Sequence, residues 1–369
     1  MAEKRRLYLL STRKSSIRAY ALAMYKSAFA LLLSLALAGP ATAARFILSA
    51  DDSVIGELQL VPANKGDTLS RLARSHNLGY QAIIQANHGT DRWLPTVGVP
   101  VVLPTQFVLP SRNRKGLQIN LAEMRLYYFP PALPNEVWSF PIGIGREGWQ
   151  TPVGRTRVHS KIAQPTWTPP ASIRAESAAK GVELPVNFPP GPDNPLGDYA
   201  VRLALPGYLL HGTNRPAGVG MRVSHGCIRL YPEDIEQLFQ QISANTPVTI
   251  MDKPAKLGWR KDRLFMEIHR PAYPRNRLMS GNTEGSQLRD QISALAETTE
   301  IDWQAVTRLI QSANGVPAQI GIRKSSLSDN TQKPPAKHPE TSATENTPPT
   351  AAEPKTTKDY SEGWLVPRR

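Results

Sequence analysis

Short runs of apolar residues, separated by Pro and Gly, follow one another through the middle of the chain. Between residues 115 and 252 these runs are rich in β-branched and aromatic residues, which favours strands over helices. The predicted strands are Gln118–Asn120, Arg125–Tyr128, Val137–Ile142, Leu209–His211 and Val248–Met251. We therefore expect this region to be mainly β.

One amphipathic helix is predicted among these strands, at Pro232–Ile242. Its apolar stripe has the i, i+3, i+4, i+7 spacing of a helix face and consists of Ile235, Leu238, Phe239 and Ile242. Pro232 suits the first helical position, where no intrahelical hydrogen bond is lost. Glu233 and Asp234 place negative charge at the positive end of the helix dipole.

Residues 63–105 have a different pattern, which predicts a compact βααβ unit. The string Gly66-Asp67-Thr68-Leu69 opens a helix, with Asp67 or Thr68 as its N-cap. The remaining predicted features are a helix stop at Gly79, a second helix at Gln81–Ala86 that ends at Asn87, and a strand at Val99–Pro104. Residues 44–62 alternate between apolar and polar and predict one or two strands that lead into this unit.

The C-terminal part divides into a folded stretch at 253–323 and a tail at 324–369. The predicted elements of the folded stretch are a strand at Arg263–His269 and two helices. The apolar face of the first helix consists of Leu288, Ile292, Leu295 and Ala296, and that of the second consists of Trp303, Val306, Leu309 and Ile310. The tail is rich in Pro, Thr, Ser, Lys and Glu and has few large apolar residues, so it is predicted to be disordered.

The first 43 residues have the three parts of a secretory signal peptide. They contain seven Lys or Arg and one Glu, and then 12 apolar or small residues at Ser27–Ala38. This apolar run is shorter than the roughly 20 residues of a membrane span. Gly39-Pro40 and the small-x-small string Ala41-Thr42-Ala43 follow, so we expect cleavage after Ala43 and export to the periplasm. The alternative is an uncleaved membrane anchor.

Composition narrows the candidate chemistry. The 369 residues include 34 Pro, 25 Gly and 1 Cys, which argues against a helical bundle and excludes an internal disulfide framework or a Cys-rich metal module. The formal net charge is +14, and outside the first 43 residues the charges are spread along the chain, which suits an anionic polymer as partner. An unpaired thiol in an exported protein must be buried or used, so the surroundings of Cys227 matter.

Cys227 and two of the seven His lie within one short stretch, which runs from His211 to Leu230. The following helix N-terminus would stabilise a thiolate, and either His211 or His225 could act as its base. The backbone N–H groups of Gly226 and Cys227 could form an oxyanion hole. Two alternatives remain open from the residues alone: a zinc site made of His211, His225 and Cys227, and a buried structural cysteine.

The strings His211-Gly212-Thr213-Asn214 and Ser224-His225-Gly226-Cys227-Ile228-Arg229-Leu230 resemble the signature of the L,D-transpeptidase family (YkuD domain). The closest likeness is to its ErfK/YbiS-like periplasmic members, which carry an N-terminal LysM-like unit. Further matching strings are Pro141-Ile142-Gly143-Ile144-Gly145, Thr151-Pro152-Val153-Gly154, Pro165-Thr166-Trp167-Thr168-Pro169-Pro170 and Asn194-Pro195-Leu196-Gly197. The residues that resemble LysM are Gly66-Asp67-Thr68-Leu69, Asn87 and the final Val-Leu-Pro.

The resemblance implies an α+β fold that is mainly β. Its expected parts are a LysM-like peptidoglycan-binding module with its leading strands at 44–110, a catalytic domain at 115–252 and a C-terminal helical extension. Neither a cofactor nor a metal is expected. The implied partner is peptidoglycan, with an outer-membrane lipoprotein as a second candidate and no nucleic acid.

The resemblance also implies a role for each residue of the signature. Cys227 would attack the meso-diaminopimelate carbonyl of a tetrapeptide stem and release D-Ala, and an amine acceptor would resolve the thioester. His211 would be the base, oriented by a backbone carbonyl near Gly212. His225, Gly226 and the Cys227 amide would shape the oxyanion site. Arg229 would bind a substrate carboxylate or brace the loop, and the substrate would also contact Ser224, Gly212 and Thr213. Alternatives are an L,D-carboxypeptidase, which uses water as acceptor, and a non-catalytic murein-binding protein.

Overall fold

A computed structural model describes residues 44–49, 51–273 and 283–326, with only the backbone described at 283–286. The predicted signal peptide and residues 327–369 of the predicted tail lie outside the described residues. None of the helices in the described ranges combines the length and the hydropathy that a membrane crossing requires.

The described residues form nineteen strands and six α-helices. The strands are β1 Ala44–Ile47, β2 Val54–Ile55, β3 Gln59–Pro62, β4 Pro100–Leu103, β5 Phe107–Val108, β6 Gly116–Asn120, β7 Arg125–Phe129, β8 Glu136–Pro141, β9 Ile144–Gly145, β10 Gly154–Ala163, β11 Tyr199–Leu203, β12 Leu209–His211, β13 Arg222–Ser224, β14 Ile228–Arg229, β15 Pro247–Met251, β16 Ala255–Arg260, β17 Arg263–Ile268, β18 Thr299–Ile301 and β19 Ala318–Arg323. The helices are α1 Leu69–Ser75, α2 Tyr80–Ala86, α3 Ala171–Ala178, α4 Pro232–Gln241, α5 Thr283–Leu295 and α6 Trp303–Ser312.

A nine-stranded mixed sheet is the framework of the region predicted to be catalytic. Its strand order is β1-β8-β7-β6-β15-β10-β11-β12-β14. The pairs β6–β15 and β12–β14 are parallel, and the other neighbours are antiparallel. Helix α4 buries Ile235 and Leu238 in the same core cluster as Val201 and Leu210 of the sheet. The predicted mainly β region and its one amphipathic helix are therefore confirmed.

The βααβ unit consists of β3, α1, α2 and β4. The order of elements is as predicted, but the first strand, Gln59–Pro62, lies before the predicted start at residue 63. Thr68 is the N-cap of α1, and its hydroxyl accepts a hydrogen bond from the Arg71 amide at 3.1 Å. Asn87 ties the end of α2 to β4, because its side-chain amide donates to the carbonyls of Ile83 and Val102 and its oxygen accepts from the Val102 amide, at 2.7–2.8 Å. A short polar side chain thus replaces backbone bonds that the turn cannot form.

The strands before this unit do not belong to it. β1 pairs with β8 at the edge of the nine-stranded sheet, with Ala44 opposite Ser139, and β2 pairs with β5. Only β3 completes the βααβ unit, through its pairing with β4. The assignment of all of residues 44–62 to the LysM-like unit is therefore corrected for β1, since alternation predicts a strand but not its partner.

The βααβ unit packs directly on the nine-stranded sheet. Its core cluster includes Tyr127, Phe129 and Val137 from β7 and β8. The amides of Tyr80 and Gln81 donate to the carbonyls of Val219 and Gly220 at 3.2 and 3.1 Å, in the loop that leads to the Ser-His-Gly-Cys string. The unit therefore has a fixed orientation relative to that loop.

The C-terminal subdomain contains a sheet as well as the predicted helices. Strands β16, β17, β19 and β18 form a four-stranded antiparallel sheet, and α6 packs on it. Lys256 joins this sheet to the rest of the protein: its Nζ lies 2.6 Å from Glu123 and 2.8 Å from Glu267, and all three side chains are almost fully buried. A buried cation is tolerated there because two carboxylates surround it. The C-terminal extension, which was expected to be helical, therefore contains a four-stranded sheet in addition to its two helices.

Replacement of Gly220 by Ala should destabilise the protein because the βααβ unit approaches its backbone closely. Gly220 has φ +77°, and a Cβ on it would lie 2.2 Å from the Tyr80 nitrogen. Gly98 is a matched control with φ +82° and no atom within 4 Å of its Cβ position. We expect Gly98→Ala to cost about 1 kcal/mol for the left-handed conformation. Gly220→Ala should cost roughly 1–3 kcal/mol more because of overpacking. Urea unfolding of both variants measures the difference, and equal losses would contradict this packing.

Candidate active site

The parallel pairing of β12 with β14 brings the predicted base and nucleophile together. Leu210 lies opposite Ile228, and His211 lies opposite Arg229. Cys227 directly precedes β14, so by strand alternation its side chain is on the same face as that of Arg229. The side chains of His211, Cys227 and Arg229 line one cavity of about 980 Å³.

The cavity lies between the sheet and a long connection that joins β10 to β11. This connection contains α3. Its first and last parts are held together by Asn194, whose fully buried side-chain amide donates to the carbonyls of Pro165, Phe188 and Pro189 at 2.7–3.1 Å. Trp149 and Trp167 both line the cavity. Arg202 and Arg229 line it as well, whereas none of its described lining residues is Asp or Glu, so the cavity favours an anionic ligand.

His211 is buried and held in one tautomer. Its Nδ1 lies 2.6 Å from the Gly212 carbonyl, which can only accept, so Nδ1 carries the hydrogen and Nε2 has the free lone pair. Burial, together with the positive charge of Arg229, lowers the pKa of His211 to about 3. The imidazole is therefore neutral at pH 7 and can accept a proton through Nε2.

Cys227 is a thiol rather than a preformed thiolate. Its sulfur is half-buried and lies 3.7 Å from the Gly207 carbonyl, to which an S–H can donate. Burial raises the pKa of the Cys227 thiol, and the Leu209 amide and the Arg229 charge only partly oppose this effect. The expectation of a thiolate stabilised by the next helix is therefore wrong: α4 begins at Pro232, after strand β14.

The backbone of the Ser-His-Gly-Cys loop is held by hydrogen bonds within the loop itself. Gly226 has φ +103°, and a Cβ there would lie 2.9 Å from the Tyr208 ring. The Gly226 amide donates to the Ser224 hydroxyl at 3.2 Å, and that hydroxyl donates to the Cys227 carbonyl at 2.5 Å. The predicted oxyanion hole is therefore corrected: Gly226 N–H is already used, and the Cys227 amide has no backbone or side-chain acceptor among the described residues.

His225 lines the same cavity as His211, but its imidazole is held by partners other than Cys227. The positive φ of Gly226 breaks the extended conformation that would have pointed His225 and Cys227 the same way. The His225 Nε2 instead lies 3.1 Å from Glu176 on α3 and 3.2 Å from Arg146, and its ring packs edge-on against Trp149 with centroids 4.9 Å apart. His225 therefore holds α3 to the nucleophile loop, and the choice between two bases favours His211.

Most of the other predicted substrate contacts are used within the protein. Gly212 is buried and supplies the carbonyl for His211, while the Thr213 hydroxyl accepts from the Arg215 amide at 2.9 Å. Ser224 reaches the cavity wall, but its hydroxyl is held within the loop. Arg229 differs from these three: its Nε is buried and has no hydrogen-bond partner among the described residues, and its Nη1 packs close to Gly218. It is the predicted substrate contact with unused hydrogen-bonding capacity.

The zinc alternative is not supported by the positions of its ligands. The metal-type cluster that the described residues form consists of Glu123, Glu267 and His269, none of which lines the cavity, and it does not include His211, His225 or Cys227. Lys256 Nζ already neutralises the two carboxylates of that cluster, at 2.6 and 2.8 Å. The cavity geometry is that of a thiol and a neutral imidazole.

Comparison with known proteins settles the family. The sequence profile of the L,D-transpeptidase catalytic domain matches residues 114–250, and that of the LysM domain matches residues 64–98. The Escherichia coli protein named probable L,D-transpeptidase YcfS is 41% identical over 249 residues, which cover 66% of this chain and 78% of the relative. The Escherichia coli protein named probable L,D-transpeptidase YbiS is 35% identical over 285 residues, 76% of this chain and 93% of the relative. The chain belongs to the L,D-transpeptidase family.

Solved structures of other L,D-transpeptidases are more distant. L,D-transpeptidase 3 from Mycobacterium tuberculosis aligns with a TM-score of 0.28 and 19% identity, over 57% of this chain and 96% of that chain. The two sequence profiles confirm the resemblance seen in the signature strings and in the LysM-like residues, and the relatives confirm the family.

Several residues that shape the site of this L,D-transpeptidase were not predicted. Glu176, on α3, lies 2.5 Å from Arg146, 2.6 Å from Lys180 and 3.1 Å from His225, and these contacts, chiefly that with Lys180, lower its pKa to about 2. Thr151 and Tyr273 are buried behind the loop. Thr151 belongs to the string Thr-Pro-Val-Gly, whose residues have no role predicted from the sequence, and Tyr273 lies in a stretch with no chemical signature.

The thiol form of Cys227 should be visible as a high titration midpoint. Because burial raises its pKa, the sulfur keeps its proton at neutral pH and loses it only above the ordinary thiol value of about 9. Cys227 is the single cysteine of the chain, so the ultraviolet thiolate absorbance, with Cys227→Ala as blank, reports it alone. A midpoint in the acidic range would instead indicate a thiolate–imidazolium pair.

Proposed function

We propose that this protein is a periplasmic peptidoglycan L,D-transpeptidase that works through a thioester on Cys227. The single observation that carries the proposal is the shared cavity of Cys227 and a neutral His211 whose Nδ1 is held by the Gly212 carbonyl. A nucleophile, a base and a group that orients the base form the usual constellation of covalent acyl transfer. The donor in this proposal is a tetrapeptide stem.

The proposed reaction has two halves, acylation of Cys227 and transfer of the acyl group to an acceptor. Sγ of Cys227 attacks the carbonyl carbon of the diaminopimelyl residue while Nε2 of His211 takes the thiol proton. The tetrahedral oxyanion accepts a hydrogen bond from the Cys227 amide. The C–N bond to D-Ala then breaks, and His211 returns the proton to the leaving amine. In the second half an acceptor amine attacks the thioester carbon and His211 takes a proton from it; the C–S bond then breaks, and His211 returns that proton to the sulfur.

The proposed substrate carries the charge that the cavity favours. A tetrapeptide stem has free carboxylates, and Arg202 and Arg229 line the cavity without an acidic residue beside them. A guanidinium can bind a carboxylate through two parallel hydrogen bonds. The unpartnered Nε of Arg229 supports a ligand-binding role over a purely structural one.

The acceptor decides which of several products forms. A diaminopimelate side chain of another stem would give a 3-3 crosslink, and the terminal Lys of an outer-membrane lipoprotein would join that protein to the wall. Water would make the enzyme an L,D-carboxypeptidase. The donor half of the reaction is the same in all three cases, so product analysis is needed to separate them.

The LysM domain would hold the enzyme on its polymer. Trp93 is 67% exposed in the loop before β4, and the Asp91 carboxylate fixes this loop by accepting from the amides of Trp93 and Leu94 at 2.8 and 3.1 Å. An exposed aromatic ring on a rigid turn is typical of a binding surface. Because the domain has a fixed orientation, binding through it would raise the concentration of stems near Cys227.

Cys227→Ala should abolish the proposed activity. We expect wild-type protein incubated with tetrapeptide-rich murein and a lipoprotein that ends in Lys to release D-Ala and to form crosslinked, lipoprotein-linked or trimmed products, and the variant to form none. Mass spectrometry of the digested murein identifies these products. Intact mass should also show one carbapenem adduct on the wild type and none on the variant.

Retained D-Ala release by Cys227→Ala would contradict the thioester mechanism. Murein binding by the wild type without any turnover or adduct would favour the alternative of a non-catalytic murein-binding protein. Arg202→Ala and Arg229→Ala test the proposed contacts with substrate carboxylates. Loss of such a contact should raise KM more than it lowers kcat.

Trp93→Ala should weaken binding to murein. Truncation of an exposed anchor of this size costs about 1–2 kcal/mol, which corresponds to roughly 5-fold to 30-fold in affinity. Trp303, which is 48% exposed on α6, provides a matched control as Trp303→Ala. Co-sedimentation with purified murein measures both variants, and equal retention would remove Trp93 from the binding surface.

A further inference from the structure

Two buried hydroxyl groups behind the nucleophile loop form a closed ring of hydrogen bonds. Tyr273 donates to the Gly145 carbonyl at 2.9 Å and accepts from the Thr151 amide at 3.0 Å. The Thr151 hydroxyl accepts from the Gly145 amide at 3.0 Å and donates to the Gly226 carbonyl at 2.8 Å. Thr151 and Tyr273 are 2% and 5% exposed, and neither lines the cavity.

The Thr151 hydroxyl connects this ring to the peptide that joins Gly226 to Cys227. In a trans peptide the N–H points opposite to the C=O of the same unit. When Thr151 holds the Gly226 carbonyl on the buried side, the Cys227 N–H is directed away from Thr151. That N–H is the donor left after Ser224 takes the Gly226 N–H.

We propose that Tyr273 and Thr151 are positioning residues, which orient the Cys227 N–H toward the oxyanion that forms during acyl transfer. The proposal rests on the thioester function proposed above and extends it to a residue of the C-terminal segment. Neither residue touches the substrate or exchanges a proton with it.

Three features support a specific role for Tyr273 over simple filling of space. Burial raises the pKa of its hydroxyl, so the proton needed for the bond to Gly145 is retained. The neighbouring Ala272 carbonyl accepts from Arg222 Nη1 at 2.6 Å, which fixes this segment to β13. Gly145 lies against the nucleophile loop with no room for a side chain, since a Cβ there would lie 2.0 Å from the Trp149 carbonyl oxygen and 3.0 Å from the Gly226 Cα.

The test compares Tyr273→Phe with Tyr128→Phe. Tyr128 lies in the same core cluster, but its hydroxyl donates to the Gln241 carbonyl at 3.1 Å and has no contact with the loop. Loss of an oxyanion donor costs about 100-fold to 1,000-fold in kcat, and loss of its orientation should cost roughly tenfold or more. We expect this decrease in D-Ala release for Tyr273→Phe, with KM within about twofold and with a melting temperature equal to that of Tyr128→Phe.

Alkylation by iodoacetamide separates orientation of the N–H from displacement of the sulfur. Alkylation passes through no oxyanion, so its rate at Cys227 should be unchanged in Tyr273→Phe while acylation slows. Thr151→Val should behave like Tyr273→Phe, and Thr151→Ser should restore most of the rate because it keeps the hydroxyl.

Two results would overturn the proposal and leave the proposed function intact. One is a kcat of Tyr273→Phe equal to that of Tyr128→Phe. The other is an equal fall in alkylation and acylation, which would mean that Tyr273 only holds the sulfur in place. Turnover by Cys227→Ala, in contrast, would refute the thioester function and this proposal with it.

Discussion

The site depends on parallel hydrogen bonding between two very short strands, β12 and β14. β12 ends with His211, and β14 begins directly after Cys227, so a shift of one residue in their register would turn one of the two side chains away from the cavity. Such short strands do not define a register by themselves. It is fixed by their surroundings: the Leu230 amide donates to the His211 carbonyl at 2.9 Å, and Arg229 exchanges backbone hydrogen bonds with Gly143 at 2.7 and 2.9 Å.

The electrostatics of the site follow from burial. A buried imidazole beside Arg229 and a half-buried thiol both favour their neutral forms, so neither of the two candidate reacting groups is charged in the resting site. In the proposed reaction, charge would appear only when sulfur attacks a carbonyl, and the groups prepared for that charge are the Cys227 amide and the proton-accepting Nε2. This arrangement would stabilise the transition state more than the resting state. It also protects the only thiol of the chain from adventitious reactions.

Local patterns predicted the elements well, and the resemblance of two strings indicated candidate reacting residues, three of which line one cavity in the structure. Thr68 as N-cap, the stripe of α4 and the βααβ order all depend on residues close in sequence. The pairing of β1 with β8 depends on distant contacts that alternation does not encode. The same holds for the C-terminal sheet, of which only the strand at 263–269 has a clear pattern.

Within the site, a single backbone angle explains the main differences from prediction. An extended chain would align His225 with Cys227, but the positive φ of Gly226 separates them and sends His225 to Glu176. The raised pKa of Cys227 arises from desolvation, which depends on the segment folded over the cavity and not on neighbours in sequence. Tyr273 could not be predicted because a buried tyrosine has the same sequence pattern whether or not its hydroxyl is used.

The central claim is that Cys227 carries the acyl group, and trapping that species tests it most directly. Wild-type protein mixed with a tetrapeptide stem and quenched in acid within one turnover should gain the mass of the stem without its terminal D-Ala. Peptide mapping should place this mass on the fragment that contains Cys227, and hydroxylamine should remove it as expected of a thioester. Product formation with no covalent species on Cys227 at any quench time would contradict the account.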